Sequence, residues 1–244
     1  MTSSPHAAPR PPRVVELFGP SSGGKSSLGA RLLSGERGAR FVRHTDRVLA
    51  SVGLGWLPGQ ALRTLAIDAI AALEVIATWR RHRACYARAA ALVLRGEGPR
   101  GWRLRLMLLR NAWKGAALRI LAGRLARPGE VLLMDEGPLQ TANYLFVHAD
   151  QPPAREALDA YLATLPLPDA ALYVRTSEEE LVERTLARGH PRVPAGSREA
   201  TRRFVSHALE VFDRIAAEPR VRERLLTAEA LLGDGCERAR EACA

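Results

Sequence analysis

The chain has 244 residues, of which 47% are hydrophobic and 25% charged, and it carries a formal net charge of +10. This length and composition suit a soluble globular protein with one sizeable domain. The three cysteines, Cys85, Cys236 and Cys243, lack the paired spacing of a zinc site. A disulfide framework or a structural metal is therefore not expected.

The first residues are not expected to form part of the fold. Residues 1–12 are rich in Pro, Ser and Ala and contain no apolar core of the kind found in a secretory signal, so they predict a disordered tail before a domain at 13–244. The best membrane-spanning candidate, Ala61–Trp79, contains Arg63, Asp68 and Glu74. Charges at such positions are costly in a bilayer, so the sequence predicts a cytoplasmic protein.

Short apolar runs alternate with helical stretches along the chain. The predicted strands are Arg13–Phe18, Ala39–Val42, Glu130–Gly137, Ala171–Thr176 and, on weaker grounds, Arg222–Thr227. The third of them has four apolar residues followed by two acids. This alternation predicts an α/β fold, with a five-stranded, mostly parallel sheet and helices on both faces.

Helices are predicted between these strands and after them. They are Ser26–Leu33, three stretches between Gly59 and Arg127 that break at Gly96–Gly101, a region to about Leu165, Glu178–Arg188, Arg198–Ala217 and a closing helix. His190–Ser197, with two prolines and a glycine, is predicted to be a loop. The segment of about residues 57–127 is thus a long helical insert between strands two and three.

The segment Gly19–Ser26, GPSSGGKS, matches the phosphate-binding pattern G-x-x-x-x-G-K-[ST]. Of 36 basic residues only Lys25 and Lys114 are lysine, so a lysine here suggests a chemical requirement. Glycines let the backbone wrap around an anion, and the following helix turns its positive dipole end towards it. The predicted nucleotide-binding residues are Gly19, Ser21, Ser22, Gly23, Gly24, Lys25, Ser26 and Ser27. The alternative is a Gly/Ser-rich turn that matches by accident.

The acids after the third strand predict a metal site. Asp135 follows an apolar run, as does the acid that holds Mg²⁺ in many nucleotide-binding proteins, and the Ser26 hydroxyl is suited to the same ion. The alternative is an ordinary strand with acids at its exit.

With these motifs, the chain resembles the P-loop kinases of the nucleoside monophosphate (thymidylate) kinase group and the chloramphenicol phosphotransferase-like enzymes. The resemblance is discontinuous over about Arg13–Ile215 and rests on GPSSGGKSS, HTDR and YVRTSEEELVERTLARGHPR. It implies a P-loop NTPase fold, with Asp46 at the end of the second strand contacting or deprotonating an acceptor. It also implies that Arg184 and Arg188, next to a lid at about 188–198, close over the phosphates.

The chain departs from those families in two places. Its helical insert is longer than in their small members, and DEG (Asp135–Gly137) replaces the acid–Arg pair of many nucleotide kinases, which leaves a nucleotide acceptor in question. Reasoning from the residues alone also leaves other roles open for the implied site. Asp46 could cap a helix or pair with Arg47, and the two arginines could form a solvated helix face with Glu180 and Glu183.

The positive charge is concentrated in the insert. Residues Trp79–Arg127 contain 13 Lys or Arg and one acid, Glu97, and Gly101–Arg127 predicts a basic amphipathic helix. This helix could pack on the core with a solvated arginine face, receive an acidic substrate or polymer, or contact an anionic membrane. The 5% aromatic content and the lack of a recognisable module argue against nucleic acid.

Together these features predict a phosphotransferase that uses ATP and Mg²⁺ to phosphorylate a small molecule. The alternative is a P-loop ATPase or switch accessory to a membrane or polymer assembly, with Glu136 positioning water. The sequence indicates neither the acceptor, nor the preferred nucleotide base, nor the oligomeric state.

Overall fold

The computed structural model describes residues 14–34, 40–95 and 102–229, and it contains a five-stranded sheet. The strands are β1 (Val14–Phe18), β2 (Arg40–Arg43), β3 (Glu130–Met134), β4 (Ala170–Arg175) and β5 (Leu225–Glu229). All five predicted strands are present. The fifth begins at Leu225 rather than Arg222 because residues Pro219–Arg222 form a short helix.

The strand order is β2-β3-β1-β4-β5, and every paired neighbour is parallel. The predicted α/β class and parallel sheet are therefore confirmed. Since parallel strands end at one edge, the segments after β1, β3 and β4 emerge side by side there. This edge brings the Gly19–Ser26 loop next to Asp135 and Glu136.

Helices cover both faces of the sheet. They are α1 (Lys25–Ser34), α2 (His44–Ser51), α3 (Gln60–Arg95), α4 (Trp102–Leu125), α5 (Pro138–Phe146), α6 (Arg155–Leu162), α7 (Glu178–Arg188), α8 (Arg198–Ala217) and α9 (Pro219–Arg222). The bounds of α7 and α8 are those predicted. The predicted tail, the break at Gly96–Gly101 and the closing helix lie outside the described residues.

Each face of the sheet has its own core, because successive strand side chains point to opposite faces. On one face, Val14 and Phe18 of β1 pack with side chains from α2–α6 and α8. On the other, Val15 and Leu17 pack with Leu28 of α1. No helix in the described ranges is long and apolar enough to span a membrane.

The insert contains three helical stretches, as predicted, because α3 bends sharply at His82. Before the bend, Asp68 pairs with Lys114 and Glu74 pairs with Arg124, so this part of α3 packs on α4. The part after the bend also contacts α4. The indole of Trp113 donates to the Tyr86 carbonyl, and Arg105 donates to the carbonyl of Leu94.

The inner part of α4 packs tightly beside the loop after β3. A Cβ added at Gly115 would lie 2.9 Å from the Thr141 hydroxyl and 3.4 Å from the Gly137 backbone. Ala116 and Ala117, the next two residues, are also buried. This part of α4 belongs to the core. The alternative in which the basic helix packs on the core therefore holds for this part of α4 only.

Candidate nucleotide-binding site

The Gly19–Ser26 loop connects the end of β1 to the first turn of α1. Gly19 has a φ of 146°, and a Cβ there would lie 2.5 Å from the carbonyl oxygen of Val174, so the position requires glycine. Ser22 and Gly24 also have positive φ values, 64° and 92°. The backbone therefore turns tightly in front of a helix N-terminus, where free N–H groups and the helix dipole favour an anion.

Three neighbouring elements hold this loop in place. The Gly19 N–H donates to Oε1 of Gln140 at 3.0 Å, from α5. The hydroxyl of Thr176, just after β4, donates to the carbonyl of Gly23 at 3.1 Å. Arg184 of α7 reaches the carbonyl of Ser22 at 3.4 Å. The loop shape is thus fixed before any ligand binds, which lowers the entropic cost of binding.

Lys25 lies inside the curve of the loop. Its Nζ donates to the carbonyls of Gly19 and Pro20, at 2.8 and 2.7 Å. Burial, followed by the charge of Arg188, lowers its pKa to about 8, while Glu136 opposes the shift. Two cations held close together at this loop are poorly compensated by protein, and a phosphate group would neutralise both.

A cavity of about 490 Å³ opens over the loop. This volume is in the range typical of small-molecule sites. Most of the residues predicted for the site line it, with Gln140 and Tyr144 of α5 in addition. The predicted lining residues are Ser21, Ser22, Gly23, Gly24, Lys25, Ser26, Ser27, Asp135, Glu136, Arg184 and Arg188.

Arg184 lines the cavity and also pairs with Glu180 one helical turn away. Glu183, by contrast, pairs with Arg198 and faces away from this contact. Arg188 is exposed at the end of α7 and lines the cavity. The two arginines thus approach the loop from the same helical face.

Ser26 and Asp135 lie together at the boundary between this cavity and a second one of about 260 Å³. The smaller cavity also contacts Arg43, at the end of β2, which sequence reasoning did not select. The described residues contain no group of three or more His, Cys, Asp or Glu that could hold a metal. One carboxylate and one hydroxyl nevertheless fit Mg²⁺, which usually takes one or two protein ligands beside phosphate oxygens and water.

Asp46 does not lie where the resemblance implied. Helix α2 begins at His44, directly after β2, so Asp46 lies in the first turn of a helix rather than at a strand end. Its side chain is 53% exposed and pairs with Arg63, whereas Arg47 pairs with Glu130. The N-cap position belongs to Arg43, and Asp46 lines neither cavity. Its carboxylate suits the positive end of the α2 dipole.

Glu16 is a buried carboxyl that sequence reasoning missed. It lies in the middle of β1, fully buried, and its Oε1 accepts from the Gln140 N–H at 2.9 Å, while Oε2 has no partner. Since the Gln140 side chain in turn accepts from Gly19, Glu16 supports the Gly19–Ser26 loop through one intermediate residue. A single acid within the apolar run VVELF was the signal in the sequence.

Burial raises the pKa of Glu16 to about 8 from an ordinary 4.5, although backbone N–H groups of Gln140 and Leu139 and the charge of Arg119 oppose the shift. The fold therefore holds this proton more tightly than the unfolded chain does. The resulting stabilisation is complete below about pH 4.5 and is lost as the pH rises through about 8.

We expect Glu16→Gln to remove this dependence, because an amide cannot ionise. Thermal unfolding between roughly pH 6 and 9 should show a melting temperature that falls more steeply in wild type than in Glu16→Gln. Glu179→Gln, which changes an exposed carboxylate of α7, serves as the control and should keep the wild-type slope. Parallel slopes in all three proteins would show that Glu16 is ionised throughout.

His44 is a second buried group that the sequence did not reveal. Its Nδ1 donates to the carbonyl of Leu133 at 3.2 Å, and its Nε2 has no partner. Burial lowers its pKa, so the ring is neutral at physiological pH. His44 thus ties the start of α2 to the end of β3, two residues before Asp135.

The predicted lid is held against the body of the protein by Arg192. Its guanidinium donates to the carbonyls of Asn143 and Val147, at 2.8 and 2.9 Å, and lies over the rings of Tyr144 and Phe204. Tyr144 also lines the large cavity. The segment between α7 and α8 is therefore packed on α5 beside the candidate site.

Comparison of the chain with protein-family models and with curated proteins finds no match.

Proposed function

We propose that the protein is a P-loop phosphotransferase, which binds ATP with Mg²⁺ and transfers the terminal phosphoryl group to a small molecule. The observation that carries the proposal is the position of Lys25. It lies inside a glycine-rich loop at a helix N-terminus, facing a cavity shared with two acids and two arginines. This arrangement suits a chain of phosphates at one end and a reacting group at the other.

Each residue of the cavity has a role in this proposal. The loop N–H groups and Lys25 hold the phosphates, and Arg184 and Arg188 neutralise charge on the group being transferred. Ser26 and Asp135 would hold Mg²⁺, which supplies further charge neutralisation on the phosphate oxygens. These contributions position the reactants and stabilise charge without requiring covalent chemistry by the protein.

In the transfer step, an acceptor hydroxyl oxygen bonds to the terminal phosphorus while the bond from that phosphorus to the ADP oxygen breaks. The hydroxyl proton goes to a carboxylate. We assign this role to Glu136, because it lines the cavity beside Lys25, whereas Asp46 is paired outside it. A base must lie within hydrogen-bond reach of the proton it accepts.

Hydrolysis of ATP is the second candidate, and one observation favours it. Glu136 is adjacent in sequence to Asp135 and shares its cavity, so it could equally orient a water molecule. Transfer and hydrolysis differ in whether ATP turnover needs an acceptor.

A screen of ADP release with pooled nucleosides, sugars and antibiotics separates the two functions. For a phosphotransferase, we expect one pool to raise ADP release well above the acceptor-free rate and to yield a phosphorylated product by mass spectrometry. Lys25→Ala in the same assay controls for contaminating kinases. Equal turnover in every pool and in buffer alone, lost in Lys25→Ala, would identify a hydrolase instead.

A further inference from the structure

Among the described residues, the large exposed apolar side chains are confined to one segment of the chain. Twelve large apolar side chains are exposed among the described residues, and all of them lie between Val52 and Met107. The same region contains the start of the basic segment Trp79–Arg127. A contiguous apolar surface beside concentrated charge marks an interaction site more often than a solvated face.

Within this region, the first part of α3 has an apolar stripe on its outer face. Residues 62, 65, 69, 73 and 76 recur at helical spacing, and Leu65, Leu73 and Ile76 are 67%, 67% and 73% exposed. The opposite face of the same part, with Ile67, Ala71 and Val75, is buried in the core. A helix that is apolar on both faces needs a partner on the outer one.

The stripe ends in a cluster of arginines at the bend of α3. Arg80 continues the stripe, and Arg81 and Arg83 flank His82. All three are exposed, and none has an ion-pair partner in the ranges that the structure describes. The acids of α3, Asp68 and Glu74, face α4 and are already paired with its basic residues. The outer surface therefore combines apolar area with uncompensated positive charge.

We propose that this surface, the stripe of residues 62–76 with Arg80, Arg81 and Arg83, docks on an anionic lipid membrane. The first part of α3 lies in the plane of the interface, with its leucines and isoleucine at the boundary between headgroups and acyl chains. The arginines contact the phosphates of anionic headgroups. The stripe is about 21 Å long at 1.5 Å per residue, which suits a helix lying on the surface.

The chemistry of the surface favours lipid over the other anionic or apolar partners. An acidic polymer such as heparin or an oligonucleotide would neutralise the arginines but would leave Leu65, Leu73 and Ile76 in water. A second copy of the chain docked through the same stripe would cover the leucines, but it would bring the same arginines and no unpaired acid of α3, since both acids of α3 are paired inward. An anionic lipid surface satisfies both halves of the surface.

Vesicle sedimentation tests this proposal on the full chain. At low salt, we expect binding to vesicles of phosphatidylcholine with phosphatidylglycerol and no binding to phosphatidylcholine alone. Arg80→Gln, Arg81→Gln and Arg83→Gln together should weaken binding roughly 100-fold, since each charge near an anionic surface contributes about a factor of five. Leu65→Ser, Leu73→Ser and Ile76→Ser together should weaken it by at least about tenfold.

A matched control changes three other arginines, Arg155, Arg202 and Arg203, to Gln, which removes the same charge from α6 and α8. This variant should retain most of the vesicle binding. Lys25→Ala should bind vesicles like wild type, so loss of nucleotide binding and loss of membrane binding remain separable. Circular dichroism melts establish that each variant is folded before its binding is compared.

Several outcomes would overturn the proposal. Equal weakening in the matched control would indicate general charge attraction rather than this surface. Binding to heparin or an oligonucleotide that the serine variant does not weaken, without vesicle binding, would indicate an acidic polymer. A concentration-dependent dimer in analytical ultracentrifugation that the serine variant abolishes would indicate a second copy. No vesicle binding at low salt would refute the proposal outright.

Discussion

We expect Mg-ATP to stabilise the wild-type protein thermally and Lys25→Ala to abolish this stabilisation. A ligand that binds only the native state raises the free energy of unfolding by mass action, by about 2.7 kcal/mol at a hundred times its Kd. For a chain of this size, that corresponds to a rise of roughly 5–10 °C in melting temperature. The variant should show no such rise, because the cation inside the loop that faces the cavity is gone.

The variant itself should remain folded. Removal of Lys25 loses two hydrogen bonds to loop carbonyls, but it also removes a charge whose lowered pKa shows that it is poorly solvated. Lys114→Ala is the matched control, since it changes the only other lysine, which pairs with Asp68 and lines neither cavity. We expect that control to melt lower, because it loses the pair with Asp68, and still to gain stability from Mg-ATP. If wild type gains nothing from millimolar Mg-ATP or Mg-GTP, nucleotide binding itself is refuted.

Local patterns predicted most of the secondary structure. The strands β1, β3 and β4 each contain four or five apolar residues, and α7 and α8 begin after Ser177 and Ser197, whose side chains cap them. These signals depend on neighbouring residues only, so a single sequence reveals them. The Gly19–Ser26 loop was predictable for the same reason, since its glycines, lysine and serines lie in one short segment.

Features that depend on distant residues were not predictable. The contact between Glu16 and Gln140 joins residues 124 positions apart, and it exists only because β1 lies beside the start of α5. Asp46 was placed at a strand end because HTDR follows β2 directly. The structure instead starts a helix at His44, which leaves Asp46 free to pair with Arg63 of the insert.

The bend of α3 separates what was predictable in the insert from what was not. The helical pattern was predictable, and the packing of the helices was not. Three helical stretches were predicted for the insert, and three are present. Their packing on one another depends on the pairs Asp68–Lys114 and Glu74–Arg124 and on the Trp113–Tyr86 contact, which the sequence does not mark. The exposed stripe on α3 could therefore be recognised only after the inner face had been assigned.

The second large effect is expected when the carboxylate proposed to accept the proton is replaced. Glu136→Gln should reduce acceptor-dependent ADP release by 10²–10⁴-fold, the usual loss when a positioned base is removed. Mg-ATP should still stabilise this variant thermally, because the loop and Lys25 are unchanged. The amide keeps the size of the side chain, so a change in the shape of the cavity would not account for the loss.

Asp46→Asn is the matched comparison, since it makes the same chemical change in the acid that the family resemblance favoured. Its carboxylate is half exposed and pairs with Arg63, and exposed pairs of this kind contribute about 0–1 kcal/mol to stability. We therefore expect it to keep ADP release within a few-fold of wild type. An inactive Asp46→Asn beside an active Glu136→Gln would reverse the assignment. It would also mean that α2 and the Arg63 contact move when the acceptor binds, because Asp46 lines neither cavity in the structure described.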